Sequence, residues 1–183
     1  MKKTGESRLI KRKTAIVFLV IIVILIWIIG EMVVSHHWIK VEKYPVTVKG
    51  SPRMDMVTDS GFRMVVISDL HDHEFGSNNE RLVQDIKKQK PQIIILDGDI
   101  LNENSKSAQV TVTLVKSLTK IAPVYYALGN HELDYIGNTE GKEMKNHPLD
   151  SEFVRKLTDA DVCVLENGYQ DVEIDGCKVR IGG

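Results

Sequence analysis

The chain has 183 residues and balances 24 Lys and Arg against 25 Asp and Glu, for a formal net charge of −1. That length suggests about one domain, and the near-neutral charge argues against a general nucleic-acid binder. The two cysteines, Cys163 and Cys177, form no CxxC pair, so there is no zinc-finger signal, and they read as isolated strand residues rather than a disulfide.

A basic tail at 1–13, with Lys2, Lys3, Arg8, Lys11, Arg12 and Lys13, precedes an uncharged run at 15–29. With Thr14 and Gly30 this run is about 17 residues, near the lower limit for spanning a bilayer. Basic charge ahead of the run puts the N-terminus in the cytoplasm and the remainder across the membrane. A cleaved signal peptide is the competing reading, but the run is long for one and no A-x-A site follows Gly30. A buried core helix is disfavoured because the run is apolar on every face. The expectation is therefore an uncleaved signal anchor at 14–34, single-pass in the cell membrane, with an extracytoplasmic domain beyond it. His36 and His37 flank the anchor, where an interfacial role suits them better than metal ligation. Residues 35–59 read as a stalk leading into an edge strand, with a short strand at 44–49.

From residue 60 the chain alternates. A Val/Ile/Met-rich run at 62–68 predicts a strand covered on both faces. Ser77-Asn78-Asn79-Glu80 has the form of a helix capping box, and Leu82, Val83 and Ile86 make an apolar stripe that Pro91 ends. A strand at 92–96, a helix at 110–121, and a strand at 124–128 follow. A polar loop at 135–150, a helix at 151–160, a strand at 162–165 and a hairpin about Asp175-Gly176 complete the chain. Alternation of this kind predicts a parallel sheet with right-handed crossovers, whose ligand site lies at the carboxyl ends of the strands.

The polar clusters fall at those ends. Asp69-Leu70-His71 follows the first strand, Asp97-Gly98-Asp99 the second, and Gly129-Asn130-His131-Glu132 the third. Taken singly, each is an ordinary loop; in order, each directly after an apolar strand, they predict a site for two divalent metals. Asp99 suits a bridging carboxylate, Asp69 and His71 one side, and the Asn130 amide oxygen the other. Two such ions activate water at neutral pH and clamp a phosphate. His131 is placed to protonate a leaving oxygen or to stabilise charge.

These three motifs resemble those of the calcineurin-like metallophosphoesterases, and with the N-terminal anchor they are similar to the bacterial membrane-associated branch. The resemblance covers about residues 60–183. It implies an α/β fold, the first half of an α/β/β/α sandwich preceded by one transmembrane helix. It further implies two divalent ions (Mn, Fe, Zn or similar) and hydrolysis of phosphomonoesters or phosphodiesters. By motif position it gives metal ligation to Asp69, His71, Asp99 and Asn130, and the catalytic role to His131. The family's later Gly-His and Gly-His-x-His ligands have no counterpart: only His147 follows His131, in a context that reads as surface loop, and His73 reads as solvent-facing or substrate-adjacent. The expectation is the N-terminal portion of a phosphohydrolase, inactive or weakly active alone, acting on lipid-linked or nucleotide phosphoesters. The alternatives are a catalytically dead, membrane-tethered interaction protein and one half of an enzyme whose C-terminal half is separately encoded.

Overall fold

The structure is a computed structural model that describes residues 3–46, 61–135 and 151–183. The chain divides into two compact units, Met1–Pro45 and Val46–Gly183. The first is built on one long helix, α1 (Lys3–His37). The apolar side chains Ile16 to Ile29 along it are 47–65 % exposed within the chain. Among the described residues no helix is long and apolar enough to cross a membrane, so the anchor expected at 14–34 is not supported on that measure. The strand expected at 44–49 lies partly outside the described residues, and its described part, 44–46, is not in a strand.

In the second unit the strands are β1 (Met64–Ile67), β2 (Ile93–Asp97), β3 (Val124–Ala127) and β4 (Val162–Leu165), in one sheet of order β1-β2-β3-β4. All three pairings are parallel, as the alternating pattern requires. Helices α2 (Glu80–Gln89), α3 (Gln109–Leu118) and α5 (Ser151–Thr158) connect them, with the short α4 (Asn130–Asp134) directly after β3. Strands β5 (Tyr169–Ile174) and β6 (Cys177–Gly182) form a separate antiparallel hairpin.

Residue parity sorts the core. Ile94, Leu96, Val124, Tyr126 and Val162 are buried, and Tyr126 meets Phe153 of α5 edge-on at 6.3 Å, so this face carries the helices. Ile93, Leu165 and Ile181 form a second cluster with Ile95, Tyr125, Cys163, Val172, Ile174 and Val179, so the hairpin covers the opposite face. The result is three layers: helices, parallel sheet, hairpin. The two cysteines are half-buried and unpaired, as their isolation in the sequence suggested.

Two expectations are corrected. β1 is not covered on both faces: Met64 is 51 % and Val66 53 % exposed. It is an edge strand, and Val66, level with Ile95, projects from the hairpin face beyond the hairpin's cover. The capping box at Ser77 does not form either. Ser77–Asn79 is a 3-10 turn, and Asn78 and Asn79 are left-handed, with φ of 53° and 59°. α2 begins only at Glu80. Asn79, fully buried, turns its Oδ1 back to accept the Phe75 N–H at 2.9 Å, a local bond that holds the turn in its non-helical form.

Candidate metal centre

Register decides what meets at the top of the sheet. Ile67 is level with Leu96, and Leu96 with Tyr126, so the segments after β1, β2 and β3 leave the sheet side by side. They are then laced together. The N–H groups of Asp69, His71 and Asp72 donate to the carbonyls of Gly98, Asp99 and Ile100 at 3.2, 2.9 and 2.9 Å. This ladder continues past the end of β1, although three of the residues that make it are left-handed: Asp69, His71 and Asp72 have φ of 53°, 46° and 56°. Asp99 is left-handed too, at 53°. Non-glycine residues held in that region cost of order 1–3 kcal/mol each and persist where the surroundings over-determine them, which is characteristic of functional sites.

Two glycines let the second and third segments touch. A Cβ on Gly98, whose φ is +72°, would lie 2.9 Å from Gly129 Cα, and one on Gly129 would lie 2.2 Å from Asp99 Oδ1. The close approach of two backbones is therefore what both motif glycines serve.

The contact is fastened by a residue to which the sequence alone assigned no role. Glu132 is fully buried and is the third residue of α4, three after its N-cap Gly129. Its Oε2 accepts the N–H groups of Asp99 and Gly129 at 2.9 and 2.8 Å. Its Oε1 accepts those of Ile100 and Leu101 at 2.8 and 2.9 Å and the Tyr126 hydroxyl at 2.7 Å. A buried carboxylate needs such partners, and here five converge, none of them cationic. Burial, and then the Glu132 charge, push the Tyr126 phenol well above its usual value, so it stays a donor. A glutamate three residues after a helix-starting glycine was the available signal, being half of a capping box; its reach across to the β2 loop was not visible.

On this frame His71, Asp99 and His131 each offer a ligand atom, all within 4.8 Å of one another. The His71 and His131 rings meet edge-on, centroids 4.3 Å apart, and Asp99 Oδ1 accepts the backbone N–H of His131 at 3.1 Å. His71 Nδ1 is buried with no hydrogen-bond partner. An orphaned imidazole nitrogen beside a carboxylate and a second imidazole fits a divalent transition metal. Asp69 and Asn130 are exposed at the ends of the same segments; Asp69 is not among the three clustered donors. His73 is half-buried, edge-on to Phe75 at 4.6 Å. His147 lies outside the described residues.

Glu103, also without a role in the sequence reading, comes in from the loop after β2. Its Oε2 abuts His131 Nδ1 as an ion pair when the ring is protonated. The two atoms do not meet in hydrogen-bond geometry, so proximity rather than a directed bond defines the contact. Glu103 Oε1 accepts from the Asn104 amide at 2.9 Å.

The family model described as calcineurin-like phosphoesterase matches residues 62–175, which contain β1 to β5 and the whole cluster. The chain belongs to the calcineurin-like phosphoesterase family. This phosphoesterase domain is 24 % identical over 130 residues to an uncharacterized metallophosphoesterase of Campylobacter jejuni, covering 65 % of this chain and 35 % of that protein. It also resembles the crystal structure of the phosphopantetheinyl hydrolase of Mycobacterium tuberculosis, at 20 % identity and a TM-score of 0.39, over 60 % of this chain and 37 % of that one. The chain spans about a third of the length of these relatives.

Proposed function

We propose that this chain is a metal-dependent phosphoester hydrolase domain whose centre is dinuclear. The observation that carries the reading is the convergence of His71, Asp99 and His131 at the ends of three adjacent parallel strands, in a chain of the calcineurin-like phosphoesterase family. Asp69, His71, Asp99 and Asn130 would hold the ions, offering carboxylate, imidazole and amide donors at the ends of those strands. When bound, divalent ions (Mn, Fe, Zn or similar) would lower the pKa of water and neutralise phosphate charge.

The chain's own residues do the rest. Glu132 pins the Asp99 loop to the Gly129 turn, so the donor atoms are fixed before substrate arrives. His131, half-buried beside His71 and backed by Glu103, is placed to protonate the leaving oxygen or to stabilise charge on the phosphate. The substrate is a phosphomonoester or phosphodiester, lipid-linked or nucleotide in kind. Residues 14–34 attach the domain to a membrane, with the N-terminus cytoplasmic and the domain outside. What supports the attachment is an uncharged run that is apolar on all sides and exposed within the chain, behind a basic tail.

The test uses the full chain with Mn²⁺. Metal binding is followed by calorimetry and hydrolysis by release of p-nitrophenol from bis-p-nitrophenyl phosphate. Asp99→Asn is expected to lose both; equal Mn²⁺ affinity in the two proteins would sink the ligand assignment. Fractionation of cells expressing the chain with and without residues 1–45 tests the membrane attachment.

A further inference from the structure

Asp72 is the neighbour of His71, yet its carboxylate is turned away from the donor cluster and fully engaged elsewhere. Oδ1 accepts the Thr111 hydroxyl at 3.0 Å. Oδ2 accepts the Asn102 N–H at 3.0 Å and the Ser105 hydroxyl. Thr111 is 1 % exposed at the start of α3, so it is a fixed point of the core. Asn102 and Ser105 begin and end a turn, closed by Ser105 N–H to Asn102 carbonyl at 3.0 Å and braced by Asn104 N–H to Asn102 Oδ1 at 2.9 Å. Glu103 lies inside that turn, and Glu103 is what faces His131.

We propose that Asp72 is a positioning residue that seats the 102–105 turn and thereby sets Glu103 against His131. The physical reason is reach. Residues 102–107 form a polar loop with few anchors of its own, and loops of this kind adopt several conformations unless tied down. Asp72 ties both ends of the turn with one oxygen and, with the other, ties itself to α3. Its backbone is at the same time locked to Ile100 at 2.9 Å. The segment that carries His71 and the segment that carries Glu103 therefore move as one piece. A ligand and the carboxylate facing His131 are held in a common frame by a side chain that touches neither substrate nor metal.

The placement rests on the geometry alone; what it serves rests on the phosphoester reading, and the experiment separates the two. Full-length protein labelled with ¹⁵N at histidine is compared, in chelator and without metal, with Glu103→Gln, Asp72→Asn and Ser105→Ala. The His131 imidazole nitrogens are read by long-range ¹H–¹⁵N correlation. Glu103→Gln is expected to move the His131 ring signals. Asp72→Asn is expected to move them in the same direction, and Ser105→Ala to move them less, with melting temperatures close to the parent. Native His131 signals in Asp72→Asn beside moved ones in Glu103→Gln would overturn the proposal. So would unmoved signals in Glu103→Gln itself, since the contact would then be absent in solution. Should Asp72→Asn melt early, Ser105→Ala alone carries the same criterion.

With Mn²⁺ and bis-p-nitrophenyl phosphate, Asp72→Asn is expected to lower kcat about tenfold with KM unchanged, as loss of a supporting partner does. A raised KM at constant kcat would overturn the positioning role. A chain without hydrolytic activity would leave the metal-free spectra fully readable, so failure of the phosphoester reading shows separately.

Discussion

Two pairs of left-handed residues sit at opposite ends of the phosphoesterase unit. Gly98 and Asp99, at φ of 72° and 53°, open the metal-side loop; Asp175 and Gly176, at 48° and 75°, make the turn between β5 and β6. The backbone demand is the same and the means of meeting it differ. The hairpin turn is of the kind in which both central residues take positive φ, matching the twist of the strands it joins, and its register, Ile174 opposite Cys177, follows locally. Asp99 has no such local reason. Its conformation is held by Glu132, whose carboxylate accepts its N–H from 33 residues away. The metal side is therefore stable only as an assembly of three segments, whereas the hairpin turn is stable by its own chemistry.

The largest effect should come from removing the shared acceptor. Glu132→Ala leaves four N–H groups and the Tyr126 hydroxyl without partners, and about 3–5 kcal/mol should be lost in urea denaturation, along with Mn²⁺ binding in calorimetry. Next comes the close approach itself. Gly129→Ala drives a Cβ into Asp99 and should cost about 1–3 kcal/mol, again with loss of Mn²⁺ affinity. If Gly129→Ala retained native affinity, the tight packing of the two loops would not be what sets the site.

Tyr126→Phe removes one donor of the five and should cost about 1.5–3 kcal/mol, since the bond goes to a charged group. It also has a pH signature. Burial raises the Tyr126 pKa above its unfolded value near 10, so the unfolded chain releases this proton first. The stability tied to that proton is fully present below pH 10 and is lost as pH rises above it. Urea midpoints measured between pH 8 and 11 should fall less steeply for Tyr126→Phe than for the parent. The smallest effect is the local one. Gly176→Ala should cost about 1 kcal/mol for forcing a side chain into the left-handed region, with unchanged Mn²⁺ affinity. If it weakened metal binding as much as Gly129→Ala does, the two ends of the molecule would not be independent.

Much of the fold was legible because its signals are short-range. Apolar runs of strand length, a helix period at 110–121 and an Asp-Gly pair gave β2 to β4, α3 and the hairpin within one to three residues of their observed bounds. The failures were tertiary. A run such as that of β1 is the same whether a strand lies in the middle of a sheet or at its edge, so exposure of Met64 and Val66 could not be read from it. At 77–80, left-handed Asn78 and a fully buried, left-handed Asn79, tied to the Phe75 N–H, delay the start of the helix to Glu80.

The site divides in the same way. Asp69, His71, Asp99, Asn130 and His131 stand out in the sequence because a polar residue directly after a buried strand needs a reason. Their chemistry, carboxylate, amide and imidazole, is a property of residue type and needs no fold to recognise. Which of them meet was decided by register: parallel pairing of β1, β2 and β3 brings His71, Asp99 and His131 to one place. Glu132 shows only half of a capping box, and Glu103 and Asp72 carry no such mark. Each acts on segments about 30 residues or more away in the chain, and a hydrogen bond across that distance exists only once the backbone has been folded to bring donor and acceptor together.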